Sequence, residues 1–203
     1  MSKSKSINKY SSENIEILEG LEPVRKRPGM YIGGVDTKAM HHLVVEILDN
    51  SIDEVINNFA TQIEVTLLSN DTVQIADNGR GIPVDPHPKF KNKSALEIIL
   101  TTLHSGGKFN SENYQTSGGL HGVGASVVNA LSEKFEIEVI REKNLYRQEY
   151  SKGIPITKLT KVSETNKQNG TKIIFCPDKE IFGENVDFSS KTLFSIIKNK
   201  AYL

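Results

Sequence analysis

The segment 42–54, HLVVEILDNSIDE, constrains the fold more than any other part of this sequence. At about 100° per residue, a helix over this segment separates its side chains into an apolar side and a polar side. The polar side holds His42, Glu46, Asp49, Asn50, Asp53 and Glu54, and the apolar side holds Val44, Ile47, Leu48, Ile52 and Val55. The pattern predicts an amphipathic helix whose apolar side packs into a core.

Acidic groups dominate the polar side of this helix. Exposed helix faces usually pair opposite charges at i and i+4, but Arg80 is the only Lys or Arg between Lys38 and Lys89. Concentrated negative charge favours the binding of a cation or a proton. Glu46 could take a proton from water, and the neutral oxygen of Asn50, one helical turn later, could bind a hard metal ion. A solvated helix face is the alternative at this point.

Composition narrows the class of protein. The 203 residues are enough for one domain, and 25 Lys and Arg residues balance 25 Asp and Glu residues, which gives no general signal for nucleic acid or membrane binding. A single cysteine, Cys176, excludes an intramolecular disulfide. No segment approaches the roughly 20 apolar residues of a membrane span, and no apolar signal peptide opens the chain. We therefore expect a cytoplasmic protein that starts at Met1 and has no membrane contact.

The chain divides into an arm and one domain. Residues 1–18 should form the arm, because the first 14 residues have little apolar content, and Tyr10 and Ile15 could anchor it on a second copy of the chain. Residues 19–203 should form the domain. We predict a short helix over 14–20 that ends at Gly20, followed by a turn-rich connection over 23–34 with recurring Pro and Gly.

Period-2 alternation and turn signals predict the strands. They fall at 62–68, 72–76, 135–140, 145–151 and 171–176, and the first two should form a hairpin. Helices are predicted over 95–104 and 125–131 and from 190 onward, with Ser94 and Glu97 as a capping box for the first of these. The Pro- and Lys-rich segment 84–93 should be irregular. The long segment 105–119, rich in Gly, Ser and Asn, predicts a functional lid.

Two glycine motifs add candidate binding groups. In Asp77-x-Gly79-x-Gly81, which ends a predicted strand, the carboxylate could accept from an exocyclic amine while Gly79 lets a flat ring approach the backbone. In GGLHGVG at 118–124, the glycines and the start of the next helix could expose N–H groups to phosphate. The second motif has neither the Walker nor the dinucleotide glycine order. A loop turn and a glycine hinge are the respective alternatives.

Taken together and in order, the motifs resemble a known family. E-x-x-x-N, D-x-G-x-G-I-P, H-S-G-G-K-F and G-G-L-H-G-V-G-x-S-V-V-N-A-L are similar to the N-terminal ATPase domain of bacterial type II topoisomerase B subunits. This domain belongs to the superfamily shared with ninety-kilodalton heat-shock chaperones, sensor histidine kinases and the MutL mismatch-repair protein. The resemblance implies an α+β fold, a two-layer α/β sandwich (the Bergerat or GHKL fold) with a mixed, mostly antiparallel sheet and helices on one face.

The resemblance also implies a function and partners. Segments 20–31 and 85–109 look more like the B subunit of topoisomerase IV than that of gyrase. ATP would drive clamp closure for DNA strand passage, decatenation and relaxation, together with the topoisomerase A subunit, DNA and a second copy bound through the arm. Competitive ATP-site inhibitors would bind the same pocket. In the family a following domain adds a γ-phosphate lysine, so we expect a fragment that binds ATP, turns it over very slowly and stays mainly monomeric.

Site roles follow from the resemblance position by position. Glu46 is the general base, His42 helps to orient the water, Asn50 ligates Mg²⁺, and Asp77 accepts from the adenine amine. Glu54 and Arg80 pair across the pocket, or form only a structural salt bridge. The remaining nucleotide contacts are Tyr10 in the arm, Gly81, Ile82, Pro83, Ile99 and Thr171 around adenine, Lys108 and Tyr114 in the lid, and Gly118, Gly119, Leu120, His121, Gly122, Val123, Gly124 and Ala125 around the triphosphate. Arg147 should lie near the outer rim.

Two other classes compete with this interpretation. A sensor kinase ATP-binding domain would have no water-activating Glu four residues before the Asn, and it would need a helix with a phosphoacceptor His. Glu46 therefore disfavours it. A DNA-binding or scaffolding module would depend on the six basic residues of the first 27 positions, among which Tyr10 is the only aromatic residue, a weak signal for nucleic acid binding.

Overall fold

The computed structural model describes residues 14–105, 123–184 and 187–202. Its helices are α1 (Glu22–Lys26), α2 (Gly29–Ile32), α3 (Thr37–Ile56), α4 (Ala95–Thr101), α5 (Gly124–Ala130), α6 (Lys179–Phe182) and α7 (Ser190–Lys200). Its strands are β1 (Ile63–Ser69), β2 (Thr72–Asp77), β3 (Pro86–His87), β4 (Phe90–Ser94), β5 (Ser132–Arg141), β6 (Asn144–Ser151), β7 (Ile154–Pro155), β8 (Thr160–Glu164) and β9 (Gly170–Pro177). All five predicted strands are present, although β3, β4, β7 and β8 were not predicted.

The long helix α3 forms where the sequence predicts it. It begins after Asp36, whose side chain accepts a hydrogen bond from the Ala39 N–H at 2.8 Å and so satisfies one free donor of the first turn. The predicted apolar side is wrong near the end of the helix. Val55, in the last turn, is 38% exposed, whereas the predicted surface residue Asp53 is fully buried.

The main sheet is antiparallel and has the order β1-β2-β9-β5-β6-β7, with β8 also paired to β6. The last long strand of the sequence, β9, therefore lies in the middle, between β2 and β5. Its register places Asp77 of β2 opposite Thr171 of β9. This register brings two distant parts of the sequence together at one end of the sheet.

One face of the sheet carries the core. Alternate residues of the three central strands are buried, as in Ile137 and Val139 of β5 and Ile173 of β9, and they pack with buried side chains of α3, α4 and α5. The opposite face carries ion pairs such as Lys172 with Glu138. The predicted two-layer α+β sandwich with helices on one face is confirmed.

The predictions for 14–34 are wrong. Residues 15–19 form no helix, and the supposed turn-rich connection contains α1 and α2. Pro23 lies in the first turn of α1, where its missing N–H costs no hydrogen bond. Pro28 precedes α2, and Gly33 ends it at a φ of 80°. The prolines therefore start helices here.

The segment around α4 is more regular than predicted. Residues 86–94 form the hairpin β3–β4, in which the rings of His87 and Phe90 lie 5.6 Å apart. Ser94 Oγ caps α4 by accepting from the Glu97 N–H at 3.1 Å, as predicted. The reciprocal bond of the capping box is replaced, because Glu97 Oε2 accepts from Gln148 of β6. The helix ends at Thr101, before the predicted residue 104.

The helices of the described residues do not combine the length and apolar character needed to cross a bilayer.

Candidate functional site

His42 and Glu46 form a contact on the exposed face of α3. His42 Nε2 lies 3.1 Å from Glu46 Oε1, as their i, i+4 spacing allows. The hydrogen bond to Glu46 raises the pKa of His42, and the charges of Glu46 and Asp49 add to this, whereas partial burial and Lys200 oppose it. The predicted base and its neighbour are therefore placed together.

Glu46 also lies against the first residue of α5. A Cβ placed on Gly124 would collide with the Glu46 carboxylate, so any larger residue here would force that carboxylate to move. Val123 precedes α5 and its carbonyl accepts from Ser126 Oγ at 2.8 Å, while Ala125 is buried. The end of the predicted phosphate loop thus meets the predicted base.

Asp77 lies at the other end of the site, where β2 ends. Its Oδ1 accepts from the Gly79 N–H at 3.0 Å and the Thr171 N–H at 3.4 Å, and its Oδ2 accepts from Ser51 Oγ of α3 at 2.9 Å. Burial raises the pKa of Asp77, although these three hydrogen bonds oppose the rise. The carboxylate is therefore fixed by both layers of the sandwich.

Arg80 and Glu54 form a two-point ion pair beside Asp77. Arg80 Nη2 lies 2.6 Å from Glu54 Oε1, and both Arg80 Nε and the Arg80 backbone N–H donate to Glu54 Oε2 at 3.0 Å. The guanidinium also lies over the ring of Phe59, 3.7 Å from its centroid. A Cβ on Gly79 would lie 2.9 Å from Glu54 Oε2 and 3.0 Å from Asp77 Oδ1. Gly79 therefore lets the two carboxylates share one small region.

The loop after Arg80 is held against β5. Gly81 has a φ of 75°, and a Cβ there would lie 2.7 Å from the Ile140 carbonyl oxygen. Arg141 Nη1 donates to the Gly81 carbonyl at 2.9 Å. These contacts fix the position from which Ile82 packs against the core.

The family model for histidine kinase-, DNA gyrase B- and HSP90-like ATPases matches residues 35–181. The chain belongs to this ATPase family. Membership implies that this ATPase chain binds ATP.

Individual relatives give a finer comparison. The ATPase chain is 58% identical over 196 residues to the B subunit of DNA topoisomerase 4 from Rickettsia bellii, a match that covers 97% of the chain and 30% of the relative. It is 53% identical over 205 residues to the B subunit of DNA gyrase from Metamycoplasma arthritidis, covering 100% of the chain and 32% of the relative. The chain thus spans about a third of the length of these curated relatives.

A solved structure confirms the fold. The crystal structure of the 43K ATPase domain of Thermus thermophilus gyrase B, in complex with an aminocoumarin, matches with a TM-score of 0.79 and 44% identity. The match covers 90% of this chain and 45% of that chain. The predicted resemblance to the ATPase domain of topoisomerase B subunits is confirmed.

The ATPase structure groups some predicted site residues and leaves others untested. It brings together His42, Glu46 and Gly124 at one end, and Asp77, Thr171, Gly79, Glu54 and Arg80 at the other. Asn50 lies on α3, one turn after Glu46, and Ile99 lies half-buried on α4, while Pro83 is exposed. Tyr10, Lys108, Tyr114, Gly118, Gly119, Leu120, His121 and Gly122 lie outside the described residues. Arg147 pairs with Glu136 and Glu149 on the outer sheet face.

Sequence reasoning missed three residues of this ATPase site. Ser51 contacts Asp77, Phe59 lies under Arg80, and Arg141 holds Gly81. Ser51 lies four residues after Ile47 and therefore falls on the predicted core side of the helix. This position weakly predicts a buried hydroxyl that has a hydrogen-bond partner. Phe59 and Arg141 carry no local signal, because their contacts are set by the tertiary fold.

Proposed function

We propose that this chain is the ATP-binding and hydrolysing domain of a type II DNA topoisomerase, with the B subunit of topoisomerase IV favoured. One observation carries the proposal: Glu46 and Ser51 lie on the same helix, with Glu46 against Gly124 and Ser51 against Asp77. Five residues of helix separate them by about 7.5 Å along its axis. A nucleotide with its base at Asp77 and its terminal phosphate near Gly124 suits this spacing.

The adenine end is assigned to Asp77 and its neighbours. Asp77 Oδ2 accepts from Ser51 and has a further lone-pair direction for an exocyclic amine. The half-buried residues Ile82 and Ile99 would supply apolar walls, with Gly81, Pro83 and Thr171 at the edge. The Arg80–Glu54 pair would floor the pocket, and it also joins α3 to the loop, so its structural role and its binding role are compatible.

The phosphate end is assigned to Glu46 and the loop before α5. Glu46 would accept the proton of the attacking water, while His42 orients the carboxylate through their contact. The residues from Gly118 to Ala125, with Lys108 and Tyr114, would surround the triphosphate. Tyr10 of the arm would reach the nucleotide of a second copy.

A magnesium ion fits the donor set only with help from phosphate. Amide oxygens are suitable ligands for Mg²⁺, which is commonly held by few protein groups together with nucleotide phosphates. Among the described residues, no three His, Cys, Asp or Glu side chains form a group that could hold a metal. We propose that Asn50 binds Mg²⁺ only with the triphosphate, where the ion would neutralise phosphate charge. EDTA should then weaken binding of ATP, and calorimetry with Mg²⁺ alone should detect no tight site.

The wider assembly is part of the proposal. Residues 1–18 would be a dimerisation arm and 19–203 the nucleotide-binding domain of a longer, cytoplasmic protein that works with the topoisomerase A subunit and DNA. Competitive ATP-site inhibitors would bind at Asp77. Higher identity to the Rickettsia bellii topoisomerase 4 relative than to the Metamycoplasma arthritidis gyrase relative favours topoisomerase IV. The ATPase domain of the gyrase B subunit is the second candidate, because its solved Thermus relative shares the fold at 44% identity.

The decisive experiment compares binding and turnover. We expect Glu46→Gln to retain ATP and to lose about 10²- to 10⁴-fold in turnover in the full-length subunit that this proposal implies. Glu64→Gln, which removes an exposed carboxylate of β1, is the matched control and should leave turnover unchanged. The 203-residue chain alone should bind ATP and hydrolyse it very slowly. Full activity of Glu46→Gln, or brisk hydrolysis by the chain alone, would contradict these assignments.

A further inference from the structure

Helix α7 lies along α3 and is attached to it near both ends. Near the start of α7, the Ser189 N–H donates to His41 Nε2 at 2.9 Å. At its last residue, Lys200 Nζ lies 2.6 Å from Asp49 Oδ1. Leu193, between these points, is buried in the core. Because His41 precedes Asp49 as Ser189 precedes Lys200, the two helices run in the same direction.

The start of α7 is held by a hydrogen bond to a buried histidine and by an aromatic contact. His41 is buried, and its Nδ1 lies 2.6 Å from the Thr37 carbonyl oxygen. Nδ1–H is therefore the donor, which leaves Nε2 to accept from Ser189. The ring of Phe188 packs edge-on against His41, with centroids 5.4 Å apart. This end of α7 is fixed independently of Lys200.

The attachment at the end of α7 brings a charge toward the candidate base. The side chains of Lys200 and Asp49 are only 27% and 15% exposed, so solvent screens them incompletely. Asp49 lies three residues after Glu46 and two turns after His42 on the same face of α3. Among the described residues, the charged groups that act on His42 are Glu46 and Asp49 from α3 and Lys200 from α7.

The two outer charges act on His42 in opposite directions. Asp49 favours the protonated imidazole, and Lys200 disfavours it both directly and by offsetting Asp49. A protonated His42 donates a charge-assisted hydrogen bond to Glu46, and its positive charge makes the carboxylate a weaker base. A neutral His42 with its single N–H on Nε2 still donates the hydrogen bond that orients Glu46, but it carries no charge, so Glu46 remains able to accept a proton from water.

We propose that Lys200 is a positioning residue for the hydrolytic reaction: paired with Asp49, it keeps His42 from holding a proton against Glu46. This inference rests on the proposed function, in which Glu46 is the base. The position of the end of α7 thereby affects the protonation of His42 at the candidate site. A movement of α7 that withdraws Lys200 leaves Asp49 unopposed and ties Glu46 to a protonated His42.

Proton NMR titration of the chain tests the coupling without nucleotide, with His42→Gln used to assign the signal. Lys200→Met should raise the titration midpoint of His42, because it removes a positive charge that disfavours the imidazolium and leaves the charge of Asp49 unopposed. Asp49→Asn should lower it, and Lys200→Arg should restore the original value. The matched control is Lys198→Met, which removes the same charge from an exposed position in the same turn.

The signs of the shifts decide the outcome. An unchanged midpoint in Lys200→Met, or an equal rise in Lys198→Met, would overturn the coupling. In the full-length subunit, Lys200→Met should move the acid limb of the turnover profile to higher pH, and Lys200→Arg should return it. A shifted midpoint with an unshifted turnover profile would overturn the catalytic role of Lys200. Full activity of Glu46→Gln is a separate result, and it would refute Glu46 as the base even if the His42 shift is observed.

Discussion

The orientation of an amide placed at residue 77 can be derived from the structure. Asp77 Oδ1 receives two backbone N–H groups, from Gly79 and Thr171, neither of which can reverse its direction. In Asp77→Asn, the amide oxygen must therefore take the Oδ1 position. The amide nitrogen must take the Oδ2 position, where the ionised carboxylate now accepts from Ser51.

With the amide in this orientation, Asp77→Asn affects the stability of the fold and the binding of nucleotide differently. The Ser51 hydroxyl can rotate and accept from the new amide, because a hydroxyl both donates and accepts. The folded protein therefore keeps its hydrogen bonds. An adenine amine, in contrast, would meet a donor, and an unpaired buried polar group costs about 1–3 kcal/mol, or roughly 5- to 150-fold in affinity.

Isothermal calorimetry with a non-hydrolysable ATP analogue measures this effect. The control is Asp71→Asn, which removes a carboxylate from the turn of the same hairpin, about 20 Å along the strand from Asp77. We expect Asp77→Asn to weaken the analogue 5- to 150-fold, as estimated above, and Asp71→Asn to bind normally. Equal affinity for Asp77→Asn and the unmodified chain would refute the amide argument and remove Asp77 from the site.

Three further predictions follow from the site. Because burial raises the pKa of Asp77, its protonated form appears at higher pH than for an ordinary aspartate. Nucleotide affinity should therefore fall as the pH is lowered through that raised pKa. Calorimetry between about pH 7 and 4 measures this fall, and an affinity that does not change with pH would contradict it. Gly124→Ala should lower turnover, because its Cβ would displace the Glu46 carboxylate, and a fully active variant would show that the contact is dispensable. Phe59→Leu should weaken nucleotide binding about 2- to 5-fold by removing the ring under Arg80, and Phe59→Tyr should restore it in the same assay.

The parts of the fold with a strong local signal were predicted from sequence. Helix α3 follows from the 3.6-residue periodicity of its apolar side chains, and the strands follow from alternation and β-branched residues. Helices α1 and α2 were missed because Pro23 and Pro28 were read as breakers, although proline is favourable in a first helical turn. The short hairpin β3–β4 has too few residues to show a period.

The residues of the candidate site also fall into two groups, those that were predicted from sequence and those that were not. Glu46, Asn50 and Asp77 could be named from motif spacing and resemblance. The hydroxyl of Ser51 could not, because its bond to Asp77 joins residues 26 positions apart. The contact of Arg80 with Phe59 likewise depends on where the loop after α3 turns. Local patterns thus identify chemical groups, while the tertiary fold decides which groups support them.

The central place of β9 has a consequence for synthesis on the ribosome. β2 pairs with β9 through Val73 and Phe175, so this side of β2 has no partner until about 100 further residues have been made. At roughly 5–20 residues per second, the nascent chain carries an open strand edge for about 5–20 s. The two halves of the sheet cannot join before β9 emerges. Protection of the early hairpin by a chaperone, or fast elongation over this interval, should therefore influence the yield of folded protein.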